Sequence, residues 1–296
     1  MRNPTIDPTM STPLSPERRR QELLLAGGAF LLVFILWQTN AVTMLLYPFR
    51  LLVTFVHETG HGLAALISGG QFLQFRVDPN GAGIASTAGG NPLLVLPMGY
   101  IGAALFGAVL LYVTNRMSNT RRVTTTIGIY FILSALLFTG DGRYWLLFGV
   151  AAALGLWMLA ERWQERRLGL RFLSAIVALL TLFVIRDNVA LIVGLISGAV
   201  ILALGALAPR SVTVFVLNAL SFIVGFNAIN DVSSLWNNPG GSLGMVRNDA
   251  YAMAEYTHLP VHLWIILWTL TALALMGVSI YLSFRRRRTE SQISTS

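Results

Sequence analysis

The sequence predicts an all-α polytopic membrane protein of about eight to nine hydrophobic helices, with one short β-hairpin as the exception. Three observations carry the prediction. The 296 residues are 55% hydrophobic and only 11% charged, with a mean hydropathy of +0.66, too apolar for a soluble domain of this size. Apolar runs long enough to cross a bilayer recur along most of the chain. All 21 basic residues are arginines, and they cluster between those runs. Arginines placed this way act as topology signals and headgroup contacts, not as a nucleic-acid face, so the bilayer is the expected partner and nucleic acid is not. The chain has no cysteine, which excludes a thiol nucleophile, a disulfide and any thiolate metal ligand. The expected setting is a multi-pass position in a bacterial cell membrane.

Residues 1–21 carry Pro, Ser and Thr and end in Arg18-Arg19-Arg20-Gln21, as in a disordered basic tail before a first span. No small-residue cleavage site follows a short apolar core, so no removable signal peptide is expected. The membrane domain is expected over 22–284, and 285–296 as a second basic tail after Arg285-Arg286-Arg287-Arg288. Leu23 to Trp37 is the first apolar run. Pro48 to Ser68 is the second, with Pro48 suited to a first helical turn and Gly69-Gly70 to its stop.

After Gly70 the period changes from helical to alternating in Gln71-Phe72-Leu73-Gln74-Phe75-Arg76-Val77. Asp78-Pro79-Asn80-Gly81 and a second alternating stretch from Ala82 to Thr87 follow, and together they read as a hairpin. Its open edge is either a plain surface connection or a place for an extended substrate to pair. Further runs follow at Leu93 to Thr114, Val123 to Thr139, Tyr144 to Leu159, Phe172 to Ile185, Val189 to Leu207, Ser211 to Ile229 and Val261 to Phe284. One long polar connection lies between Asn230 and Pro260, and no internal repeat is visible.

Within the second run, Val56-His57-Glu58-Thr59-Gly60-His61-Gly62 places two of the four histidines and a carboxylate in an apolar helix. His57 and His61 are four apart, so their ring nitrogens lie one turn apart on one face and reach the same tetrahedral zinc ion. Glu58 is then not a ligand but the base that takes a proton from a metal-activated water, the chemistry of peptide-bond hydrolysis. In a soluble helix the same motif is often only a solvated face. At bilayer depth each ionisable residue costs about 2.5–3.5 kcal/mol on insertion scales, and a bound metal is the partner that offsets three of them. Arg50, one turn inside the run, snorkels to the nearer interface and has no catalytic role.

The order Pro48-Phe49-Arg50, His57-Glu58-Thr59-Gly60-His61, Gly69-Gly70, the Gly-rich hairpin and Gly99-Tyr100-Ile101-Gly102-Ala103-Ala104-Leu105-Phe106-Gly107 resembles the M50B-type peptidases. These are intramembrane zinc metalloproteases of the site-2 protease clan. The resemblance spans residues 48–107 and is weaker around Asn230-Asp231-Val232 and Asn248-Asp249-Ala250. It implies cleavage of membrane-anchored protein substrates in or near the bilayer, His57 and His61 as ligands, Glu58 as catalytic base, and a carboxylate third ligand from a distant helix.

For that third ligand the sequence offers Asp141, Asp231, Asp249 and the pair His258 and His262. Pro260 interrupts the histidine pair, Arg143 is a ready partner for Asp141, and Asp249 lies in the polar connection. Asn227, Asn230, Asp231 and Ser234 form a polar stripe at helical spacing, where the resemblance also puts an aspartate, so Asp231 is the expected ligand. Two other classes of function fit a membrane bundle with this centre: a transporter that coordinates its cation, and a homologue that binds membrane segments without cutting them. A transport site has no need of a glutamate beside the first histidine. The arginines add a conflict of their own. Arg18–Arg20 and Arg285–Arg288 both belong on the cytosolic side, yet nine full spans put the chain ends on opposite sides, so one segment, the motif helix or its neighbour, is expected not to cross fully. The resemblance, by contrast, implies that the motif helix crosses.

Overall fold

A computed structural model describes residues 16–38, 43–237, 242–243 and 246–285. Eleven helices, most of them long, and two small two-stranded sheets make up these residues. α1 (Pro16–Gln38) begins inside the stretch expected to be a tail, because Pro16 fits a first turn and Glu17 favours its positive end. α2 (Thr43–Ile67) carries the His-Glu-x-x-His motif, and starts five residues before Pro48, which lies within the helix.

The hairpin forms where the alternation predicts it. β1 (Gln71–Val77) pairs antiparallel with β2 (Gly83–Ala88), Phe75 opposite Ala85, with a bulge between Phe72 and Gln74. Gly81 takes φ +87°, and the Asn80 carboxamide accepts from the Ala82 N–H at 2.9 Å. Phe72, Phe75 and Val77 point into the core, where Phe75 packs edge-on to Phe55 of α2. Side chains of α2 hold the turn: Tyr47 donates to the Pro79 carbonyl and Thr54 to that of Gly81, both at 2.8 Å.

α3 (Pro92–Val95) and a single 3-10 turn at Leu96–Met98 lead at a 60° bend into α4 (Tyr100–Arg116). Then follow α5 (Thr120–Phe138), α6 (Gly142–Arg162), α7 (Arg167–Ile185), α8 (Val189–Leu207) and α9 (Arg210–Asn237). After the short β3 (Ser242–Leu243) and β4 (Val246–Arg247) come α10 (Asp249–Thr257) and α11 (Val261–Phe284). α4 packs on α9 and α11, α1 on α9, α5 on α8, and α6 on α7. Small residues permit these approaches: a Cβ on Gly107 of α4 would stand 2.7–2.8 Å from Ser221 and Gly225 of α9. Asn115 and Asn218, both buried, join the same two helices by amide hydrogen bonds of 2.8 and 3.3 Å.

Six helices among the described residues are long and apolar enough to cross a membrane, or seven if the bent 92–116 segment is one span. This is fewer than the eight to nine expected. α2 is not among them, since Arg50, His57, Glu58 and His61 dilute its hydropathy. The arginine-bearing ends gather at one end of the bundle. Arg210, at the start of α9, pairs with buried Glu22 of α1 at 2.7 Å and donates to the Met117 and Ser118 carbonyls after α4. Arg116 donates to the carbonyls of Leu282 and Arg285 at the end of α11. The beginning of α1 and the end of α11 therefore lie at the same end of the bundle, which requires an even number of crossings between them, not nine. The expected tails 1–15 and 286–296 lie outside the described residues.

Candidate metal and catalytic centre

The helical spacing of His57 and His61 does what the sequence predicts of it: their Nε2 atoms stand 3.1 Å apart. The carboxylate that meets them comes from α10. Asp249 Oδ2 lies 3.1 Å from His57 Nε2 and 3.3 Å from His61 Nε2. Two donors on one helix and a third from 192 residues further along the chain thus converge on one point.

The donor set fits a metal ion on two counts. Separations of 3.1–3.3 Å match the edge of a tetrahedron with bonds of about 2.0 Å, the length of zinc to imidazole nitrogen or carboxylate oxygen. In addition, His61 Nδ1 donates to the Val95 carbonyl at 2.7 Å, which fixes the tautomer that leaves Nε2 with its lone pair toward the centre. Gly99 makes the room: a Cβ there would overlap the Nε2 atoms of both histidines. Tyr100 packs edge-on against the His57 ring at 4.6 Å and stacks on Trp268 of α11.

Burial alone would raise the carboxyl pKa of Asp249, but the charge of His61 and the hydrogen bonds to both imidazoles outweigh it and hold the group well below the usual carboxylate range. A metal at the centre would take the place of the imidazole protons that face Asp249, with Asp249 as carboxylate and both histidines neutral. Asp249 is placed by the local chain: Asn248 caps α10, its carboxamide accepting from the Tyr251 N–H at 2.8 Å. Ala250 and Met253 of that helix bury against Tyr100, Ile265 and Trp268.

Glu58 is 5% exposed and sits under β2. The Ala85 backbone of β2 lies beside its carboxylate, and His57, His61 and Asp249 are all close by. A Cβ on Gly83 would stand 2.5 Å from Glu58 Oε1, so the hairpin closes on the glutamate only because that residue is glycine. On the opposite face of α2, Thr59 donates to its own helix at Phe55 and shares a hydrogen bond with the Tyr130 hydroxyl of α5.

Asp231, the ligand expected from the sequence, lies in the last third of α9, and its side chain is outside the described residues. Among the described residues the carboxylate at the two histidines is Asp249. Asp141 precedes α6 in the turn after α5 without a capping side-chain bond, and His258, at the end of α10, and His262, in the first turn of α11, are exposed. Sequence reasoning weighed Asp249 but preferred Asp231, and it gave no role to Gly99 or the Val95 carbonyl. The available signal for the first was Asn248-Asp249 opening a short helix, a capped start that fixes an aspartate in space.

The fold and the donor set define an integral membrane protein in which a His-His-Asp group that could hold a metal ion stands beside a buried glutamate. The chain belongs to the Peptidase M50B-like family, which matches it over residues 25–172 and 149–279. No curated protein and no solved structure matches it.

Proposed function

We propose that this protein is an intramembrane zinc metallopeptidase that hydrolyses peptide bonds of membrane-anchored proteins, with His57, His61 and Asp249 holding the metal and Glu58 as the catalytic base. The observation that carries the reading is the convergence of three ligand atoms within 4.8 Å of one another, next to a buried glutamate. Family membership supports it, since M50 peptidases are zinc enzymes. When bound, zinc would supply a Lewis acid that activates a water molecule and polarises the scissile carbonyl.

The protein's own groups do the rest. Glu58 takes the proton of the attacking water and passes it to the amide nitrogen as the C–N bond breaks. The β2 backbone at Gly83 lies over the carboxylate, and the hairpin limits access of bulk water. His61, fixed by Val95, and His57, fixed against Tyr100, hold their nitrogens without reorganisation. The free edge of the hairpin offers backbone groups to an extended substrate, which is how a transmembrane segment would be held unwound for attack.

The test measures zinc content and cleavage of candidate membrane substrates together. Glu58→Gln should keep zinc and lose at least about a thousandfold in turnover, in line with loss of the acid–base group. Asp249→Ala should lose both, and Asp231→Ala should keep zinc. Turnover by Glu58→Gln equal to wild type would remove the mechanism, and zinc kept in Asp249→Ala but lost in Asp231→Ala would move the third ligand to Asp231.

A further inference from the structure

We infer that the centre opens to the extracytoplasmic side of the membrane, so that its substrates are membrane-anchored chains cleaved close to the outer hydrocarbon boundary. The inference rests on the peptidase reading for its substrate clause and on geometry alone for its orientation. Arg116 and Arg210 sit at one end of the bundle, tied to it by Glu22 and the carbonyls of Met117, Ser118 and Leu282, and Arg20 near the start of α1 and Arg121 and Arg122 at the start of α5 lie at the same end. α6 returns from the end of α5, so Arg162, Arg166, Arg167 and Arg171 around the α6–α7 turn lie at that end too. The other end carries Arg50, Arg76, Arg143, Arg186 and, in β4, Arg247, against the nine named at the first end, and Arg76 and Arg186 pair with Asp78 and Asp187. By the positive-inside rule the arginine-rich end is cytosolic.

Depth follows from the helices that touch the centre. Tyr100, which packs on His57, is the first residue of α4, and the 17 residues from it to Arg116 span about 25 Å. Trp268, stacked on Tyr100, lies a similar distance from the end of α11 at Phe284. The hydrocarbon layer is about 30 Å thick, so roughly 5 Å remain between the centre and the far boundary. The elements that surround the glutamate and supply the aspartate are at that same far end. Phe72 of the hairpin stacks on Phe138, the last residue of α5. A Cβ on Gly140 in the α5–α6 turn would meet Gln74 of the hairpin, and Asn188 before α8 donates to the Thr139 carbonyl. α10 follows α9 at the end opposite Arg210.

The cysteine-free chain permits a direct test. Single replacements Asn80→Cys in the hairpin turn and Asp187→Cys before α8 are exposed positions at the far end, and Glu165→Cys lies in the α6–α7 turn. A membrane-impermeant maleimide added to intact cells should label the first two and reach Glu165→Cys only after permeabilisation. EDTA added outside the same cells should strip zinc from the wild-type protein. Labelling of Asn80→Cys and Asp187→Cys only after permeabilisation overturns the orientation. So does zinc that outside EDTA does not remove but EDTA after permeabilisation does. The maleimide readout needs neither metal nor catalysis and should be the same in a Glu58→Gln background. A correctly oriented protein that cleaves nothing would therefore count against the peptidase reading and leave the orientation standing.

Discussion

Glycine 99 shows how far a single position governs this centre. Its hydrogen is all that fits between two imidazoles, and the same residue leads the bend into α4 that brings Tyr100 to His57. Gly99→Ala should lower zinc affinity by about 10- to 100-fold, the range for disturbed support of a metal ligand, while far-ultraviolet circular dichroism stays helical. Equal zinc affinity in that variant, measured by competition with a chromophoric chelator, would show that the ligands do not depend on this space. His57, Glu58 and His61 were legible in the sequence because their relation is local, one helical turn. Asp249 was not, since nothing in a linear pattern tells which of several distant aspartates the fold returns to the motif.

At the scale of elements, the hairpin was readable to within a residue or two because its alternation, its Asn-Gly turn and its glycine punctuation agree. The extent of α2 was less so: its start lay upstream of Pro48, which sits inside the helix as its sixth residue and forgoes the bond its N–H would have made to the carbonyl four residues back. α10 lay inside the stretch read as a long polar connection. Its single cap makes it testable. Asn248→Ala removes the acceptor for the Tyr251 N–H at a cost of about 1 kcal/mol, and since α10 carries a ligand, zinc should be held roughly fivefold more weakly. Asn248→Ser should restore it. A variant that lowers thermal stability without moving zinc affinity would mean that α10 docks independently of its cap. In the hairpin, Gly83→Val should drive β2 away from Glu58, reducing turnover more than tenfold with zinc content unchanged, as measured by metal analysis beside a cleavage assay.

Across the whole molecule, hydropathy revealed a bundle: six or seven of the described helices pass the length and composition test for crossing, against the eight to nine expected, and α2, whose polar chemistry lowers its apolar character, is not among them. What closes the arginine end is the Glu22–Arg210 pair, in which the glutamate is buried. Arg210→Ala leaves that carboxylate without its partner and should cost about 3–5 kcal/mol, seen as a lower unfolding temperature in detergent. Glu22→Leu combined with Arg210→Leu should recover most of it; no recovery would assign the loss to the carbonyl bonds that Arg210 makes to Met117 and Ser118. The reach of Asp249 back to His57 has a consequence for the order of events in a cell. The two are separated by 192 residues, which a ribosome takes about 10 to 40 s to add. During that interval the nascent chain carries the histidines and the glutamate without the carboxylate that meets them in the fold, and under the proposed function it would be inert toward the proteins inserting around it. Hydrolytic competence would then arrive late, after α9 and shortly before the final helix is made.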